Sequence, residues 1–214
     1  SDASHELRTP TAVILAQCSY LKKHGDSLED YQDAIEVVER QATKMSFLID
    51  RLLDMTRLDL GTQKISIEAF NFSEMVSDLC EELDNGGRGI SLISHIDPDI
   101  FIKADPFLIS RVVSNLIENA RKYGKENGHI WVRLSVKGDT VLLEVEDDGI
   151  GISSEDINRI WQRFYQVNPS RKAGLGLGLG LSMVQQIISL HNGSVQVKSD
   201  LDKGSCFSVF LPFS

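Results

Sequence analysis

Little in these 214 residues suits an extracellular, membrane-spanning or nucleic-acid-binding chain. Cysteine is scarce: Cys18, Cys80 and Cys206 are odd in number, far apart and form no C-x-x-C pair. That argues against a disulfide framework and a cysteine zinc site, and suits a reducing, cytoplasmic compartment. No run approaches the roughly 18 uncharged apolar residues of a membrane span, and no signal peptide opens the chain. Basic charge is in deficit, 22 Lys and Arg against 31 Asp and Glu for a net −9, so a broad basic surface for nucleic acid is not expected. What is there is ordinary globular usage, 42% hydrophobic and 25% charged, at a length that suits one or two domains. No internal repeat is visible. Ser1-Asp2-Ala3 leads straight into a helical pattern, and the chain is expected to be a piece of a longer protein.

The first sixty residues have their own texture. Leu7, Thr11, Ile14, Cys18 and Leu21 recur at four- and three-residue steps, the seam of a packed helix. His24-Gly25-Asp26-Ser27 interrupts, and Tyr31, Ile35, Val38, Ala42, Met45, Ile49 and Leu52 resume the alternation. This predicts an antiparallel helical hairpin over residues 1–61, and pairing with a second copy into a four-helix bundle buries both apolar stripes. After Gly61 the pattern changes. Period-two stretches at 64–67 and 100–102 read as strands, with a helix from Ser73-Glu74 between them. Asp105-Pro106 opens another helix, 129–136 and 140–147 form a hairpin around Lys137-Gly138-Asp139, and a helix over 179–190 precedes strands 194–199 and 204–211. Residues 62–214 therefore read as an α+β layer sandwich.

Four constellations carry chemistry. In Ser4-His5-Glu6-Leu7-Arg8-Thr9-Pro10, His5 points away from the seam, and an exposed imidazole is mostly neutral and nucleophilic at pH 7. Glu6 can hold the proton on one ring nitrogen, Thr9 stands one turn on, and Pro10 predicts a bend. Asn115, Asn119 and Lys122 share one helix face; magnesium takes few protein oxygens and keeps phosphates and waters, so an amide suits it, while a lysine one turn on pairs phosphate. Asp147-Asp148-Gly149-Ile150-Gly151 ends a strand, where a carboxylate can accept the adenine amine and glycines permit close backbone approach. Gly174 to Leu181 alternates glycine and leucine before a helix, so its amides can curl around phosphates. It fits neither G-x-G-x-x-G nor the P-loop.

In this order the pieces resemble the transmitter region of bacterial two-component sensor histidine kinases, over essentially the whole chain. Ser4–Pro10 matches that family's phosphoacceptor box, Asn115–Tyr123 its asparagine box, Asp147–Gly151 its first glycine box, Arg163-Phe164-Tyr165 its phenylalanine box, and Gly176–Leu181 its second glycine box. His191-Asn192-Gly193 and Gly204-Ser205-Cys206-Phe207 look like the family's ending. The resemblance implies a dimerisation and histidine-phosphotransfer hairpin, 1–61, followed by a catalytic ATP-binding domain, 62–214, of the fold shared with gyrase and the ninety-kilodalton heat-shock chaperones. It implies that His5 accepts the γ-phosphate of ATP with Glu6 as base, and that an aspartate of a response regulator then receives it. Thr9 would orient the water that reverses that transfer. By the same resemblance Asn119 binds Mg2+ with Asn115 close by, Lys122 reaches phosphate, Tyr123 covers the base and Asp147 reads adenine. Gly149 and Gly151 line the nucleotide, Arg163, Gly176, Gly178, Gly180 and Leu181 belong to its phosphate side, and residues 153–175 form a mobile lid. Gln166 stands where the family often has arginine, so Arg163, Arg171 and Lys172 are all candidates for the γ-phosphate cation; Thr11 replaces a usual leucine and Gly174 adds a repeat. The implied partners are a second copy and a response-regulator receiver domain, without nucleic acid or membrane contact by this piece. The implied setting is the cytoplasmic part of a longer sensor. A non-catalytic ATP-sensing dimeric scaffold is the alternative, and it does not require the acceptor and nucleotide residues together.

Overall fold

The four- and three-residue apolar steps become two long helices in the computed structural model, α1 (Asp2–His24) and α2 (Leu28–Asp59). The structure describes residues 2–25, 27–60, 64–84, 89–167 and 178–213, without the side chains of Asp2, Ala3, His5, Arg51 and Asp59. Ser27 starts α2 with a reciprocal cap: its hydroxyl accepts the Asp30 N–H at 3.1 Å, and the Asp30 carboxylate accepts the Ser27 N–H at 3.0 Å. Pro10 lies inside α1, which nonetheless continues as one element, although the Glu6 carbonyl loses its helical donor there.

The expected α2 seam divides into two stripes. Ala34, Leu48, Met55 and Leu58 are buried, whereas Tyr31, Ile35 (63% exposed) and Ile49 face outward with Leu28 and Leu53. On α1, Pro10 is buried and Leu7, Ile14 and Leu21 are half-buried, while Thr11 and Cys18 are exposed. Two apolar stripes lie side by side on α2, and one partner helix covers only one of them. Among the described residues no helix is long and apolar enough to cross a membrane.

Residues 1–63 and 64–214 are separate compact units. In the second, the elements are β1 (Glu68–Asn71), α3 (Phe72–Leu83), β2 (Ser91–Ile96), β3 (Phe101–Ala104) and α4 (Pro106–Tyr123), followed by β4 (His129–Lys137), β5 (Thr140–Asp147), α5 (Gly180–Leu190), β6 (Ser194–Asp200) and β7 (Gly204–Pro212). Five strands form a sheet in the order β2-β4-β5-β7-β6, and β1 pairs with β3 alone. The β2–β4 pair is parallel and the other pairs are antiparallel. One sheet face buries Ile130, Val132 and Leu134 of β4, Leu143 and Val145 of β5, and Phe207 and Val209 of β7. Leu108, Val112, Leu116 and Ile117 of α4 and Met183, Val184 and Ile187 of α5 supply the apolar helix layer. This is the α/β sandwich that the sequence predicts.

Three local expectations are corrected. No strand forms over 64–67; Ile65 and Ile67 are exposed, and pairing begins at Glu68, opposite Ala104. The helix expected from Ser73 begins at Phe72, because the Asn71 side chain accepts the Glu74 N–H at 3.2 Å and so serves as the cap. The sequence reading also lacks β2, an edge strand with a weakly alternating burial pattern. The hairpin around Gly138-Asp139 forms as expected, with Lys137 opposite Thr140 and Gly138 at φ +62°.

Candidate functional site

The candidate residues fall in both units. On the hairpin, Thr9 is exposed and Glu6 half-buried; together with Arg8, Ala12, Val13 and Ala16 they line an open concavity along α1. The His5 backbone belongs to α1 one turn before Thr9, and its side chain lies outside the described residues.

In the second unit Asp105 sets the start of α4: its Oδ1 accepts the Leu108 N–H at 3.0 Å, and Pro106 occupies the first turn. The helix then carries Asn115, Asn119, Lys122 and Tyr123. Asn115 is only 8% exposed. Its Nδ2 donates to the Arg111 carbonyl at 2.7 Å, and its Oδ1 stands 3.2 Å from where a Cβ on Gly180 would lie. Asn119 is half-buried one turn further. Lys122 Nζ lies 4.7 Å from the centroid of the Tyr123 ring, a cation over an aromatic face.

Asp147 closes β5 and is 4% exposed. Its Oδ1 accepts the Gly149 N–H at 2.8 Å. Burial pushes its carboxyl up to about 6, the neighbouring Asp148 charge adds to the rise, and the backbone N–H groups of Gly149 and Ser205 oppose it. A buried acid served by backbone donors can still receive a donor from a ligand. The turn after it is stitched to the end of α4: the Tyr123 carbonyl accepts the Ile150 N–H at 3.1 Å, and a Cβ on Gly149 would overlap that same carbonyl. A second stitch joins the Asp148 carboxylate to the His129 N–H at 3.1 Å. Gly151 packs on the Asp200 carbonyl.

The start of α5 supplies the third component. Leu179 is its N-cap and contributes no side-chain hydrogen bond, so the first helical N–H groups remain for an anion. Leu181 is half-buried in that first turn. Gly178, at φ +66°, accepts the Phe164 N–H at 2.9 Å, with Phe164 itself at φ +63°. A Cβ on Gly178 would come within 2.6 Å of the Phe164 and Tyr165 backbones. Arg163 is exposed beside this junction in sequence. Gly176, with Arg171, Lys172 and Gly174, lies outside the described residues. Where a mobile lid is expected, residues 153–167 form a succession of turns. There the Asp156 carboxylate accepts the Tyr165 and Ser153 hydroxyls, and the Arg159 guanidinium stands 4.4 Å from the Tyr165 ring centroid.

This donor set fits a magnesium nucleotide. The amide oxygens of Asn115 and Asn119 are of the kind that magnesium takes together with phosphate and water oxygens. A buried carboxyl suits the base amine, and an uncapped helix start suits phosphate. Sequence reasoning marks Asp105 as a helix start but does not single out its ties to Ser66 and His191, nor the structural roles of Asp148 and His191. The Asp-Pro helix start and the His-Asn-Gly helix end are the signals that mark Asp105 and His191.

Comparisons with known proteins identify the family. Residues 104–214 match the family described as histidine kinase-, DNA gyrase B-, and HSP90-like ATPase, and residues 1–61 match the His Kinase A (phospho-acceptor) domain. The sensor histidine kinase RppB of Synechocystis sp. is 35% identical over 222 residues, covering 99% of this chain and 48% of that protein. The chain thus spans about half the length of that relative. Acinetobacter baumannii histidine kinase AdeS superposes with a TM-score of 0.74 at 22% identity, covering 98% of both chains. Histidine kinase ThkA, solved in complex with response regulator protein TrrA, gives 0.76 at 22% identity, covering 99% of this chain and 60% of that one. At such identities the structures support the fold.

Proposed function

From a chain that belongs to the two-component sensor histidine kinases, as their transmitter region, we propose the following activity: ATP-dependent autophosphorylation of His5, transfer of the phosphoryl group to an aspartate of a response regulator, and dephosphorylation of that regulator. The observation that carries the nucleotide half is the conjunction in one unit of buried Asp147 with an uncapped α5 start held against Asn115. The acceptor half rests on the phospho-acceptor domain match over residues 1–61.

In this reading Asp147 accepts the adenine amine, Tyr123 covers the base, and the N–H groups at Gly180 and Leu181 take phosphate charge. Lys122 and Arg163 add positive charge on the phosphate side. Asn119 would hold magnesium, with Asn115 buried beside it, and the ion would neutralise phosphate charge. A His5 nitrogen bonds to the γ-phosphorus while the bond to the bridging oxygen breaks and ADP leaves; Glu6 takes the proton from the other ring nitrogen. Positioning and charge neutralisation carry such a transfer. Incubation with γ-labelled ATP and Mg2+ tests the reading, which requires acid-labile, base-stable label on the protein; its absence would sink it. The outward stripe of α2, with Ile35 and Ile49 exposed, supports a homodimer through the hairpin.

Two variants separate the parts. Asn119→Asp places a negative charge beside metal and phosphates, so autophosphorylation is expected to fall at least tenfold, on the order of the 1.5–3 kcal/mol of a charged contact. A labelling rate unchanged across a magnesium titration would remove Asn119 from the site. Thr9→Ala is expected to keep autophosphorylation within a few-fold and to lose most dephosphorylation of the regulator, because a hydroxyl can orient the attacking water and a methyl cannot. Both rates measured with the cognate regulator decide it: equal loss means a structural role for Thr9.

A further inference from the structure

Helices α4 and α5 run antiparallel and are tied at two places. At one, Gly180 at the start of α5 sits against the Asn115 amide oxygen, 3.2 Å from its would-be Cβ. At the other, Nε2 of His191, just past the end of α5, accepts the Asp105 N–H at 3.0 Å, and Nδ1 lies 2.8 Å from the Ile187 carbonyl. An accepting Nε2 makes the imidazole neutral with its proton on Nδ1, donated to Ile187. Asp105 is committed on both oxygens: Oδ1 caps α4 through the Leu108 N–H at 3.0 Å, and Oδ2 accepts the Ser66 N–H at 2.8 Å. Asp105 and His191 are both buried.

We infer that Asp105 and His191 are a positioning pair that fixes the axial register of α4 against α5. That register sets where Asn119 stands relative to the phosphate-facing N–H groups at the start of α5. The inference rests on the proposed ATP site. Asn115 stands ten residues after Asp105, and Gly180 eleven before His191, so the tie acts from about 15 Å along each helix and touches no ligand. Interdigitated apolar side chains tolerate small slides, whereas a hydrogen bond fails within a fraction of an ångström. A slip of one residue moves a helix by about 1.5 Å, and displacements near 1 Å at a reacting site can remove roughly a hundredfold in rate. The same carboxylate also holds Ser66, so the segment entering the unit is anchored to this register.

The test uses the full chain, with MgATP binding read by calorimetry and adenosine binding by NMR titration. His191→Phe keeps a ring and removes both hydrogen bonds; His191→Gln restores an acceptor for the Asp105 N–H. The Phe variant is expected to bind MgATP about tenfold more weakly while adenosine, which engages the Asp147 turn, changes less than about twofold. The Gln variant is expected to recover most of the loss. Unchanged MgATP affinity in the Phe variant, or parallel loss of adenosine and MgATP, overturns the pair. If the Phe variant shows no cooperative melt, His191→Asn, which keeps only the donor to Ile187, is compared with Gln on the same readings. A parent chain that binds no MgATP overturns the ATP site itself, and the pair with it.

Discussion

Asp147→Asn is expected to weaken ATP binding tenfold or more while making the empty protein more stable. Binding falls because a charge-assisted bond to the adenine amine, about 1.5–3 kcal/mol, is lost and the new amide can present a donor to a donor. Stability rises for the opposite reason. The folded carboxyl, at about 6, holds its proton more tightly than an unfolded one at 3.8. The folded state therefore binds the extra proton between those values, and this group's contribution to stability is lost as pH rises through about 6. At neutral pH ionised Asp147 destabilises the fold by about 3 kcal/mol relative to its protonated form, and asparagine removes part of that. A gain of about 1–2 kcal/mol is roughly 2–8 °C in Tm for a unit of this size. The gain should be full at pH 7.5, shrink as pH falls from about 6 toward 3.8 and vanish only below 3.8, so that at pH 4.5 it is clearly smaller than at pH 7.5. Parent affinity for ATP should also fall as pH drops below about 6, with the variant flat. Melting curves and calorimetry at the two pH values check both halves; a variant less stable at pH 7.5, or equal in affinity, removes Asp147 from the base pocket.

His5→Gln is expected to abolish acid-labile labelling altogether and to leave MgATP affinity within about twofold. Glutamine keeps length and polarity on α1, but its amide nitrogen has no free lone pair to attack phosphorus. The nucleotide residues belong to the other compact unit, so binding and chemistry should separate cleanly. Persistent label on this variant would assign the acceptor to another residue, and loss of ATP binding would mean that the substitution acts through the fold.

Legibility from sequence followed local physical determinants. Asp105-Pro106 announces a helix start through capping and fixed φ, and Gly138-Asp139 announces a tight hairpin; both stand where expected. β2 escaped because an edge strand paired on one side needs little alternation: Ser94 and His95 are exposed in succession. The 64–67 stretch alternates, yet Ile65 and Ile67 are exposed and pairing starts later. Periodicity reports a face, and only tertiary contacts say which face is covered. The same limit explains the mixed α2 seam, where Tyr31 and Ile49 belong to the outer stripe. Among site residues, motif chemistry pointed to Asp147 and to the α5 start. The ties that hold them, through Asp105, His191 and Asp148, join residues far apart in the chain, which spacing alone does not reveal.

The outward stripe of α2 also makes the hairpin sensitive to dilution. Leu28, Tyr31, Ile35 and Leu53 leave apolar surface in water on a single hairpin, and a second copy that covers it makes folding and association one equilibrium. The melting midpoint of the hairpin then rises with protein concentration, while that of the sandwich, with its helix layer packed on its own sheet, stays fixed. For this chain in solution, concentration would thus set how much of the hairpin is folded, independently of how much nucleotide the sandwich holds.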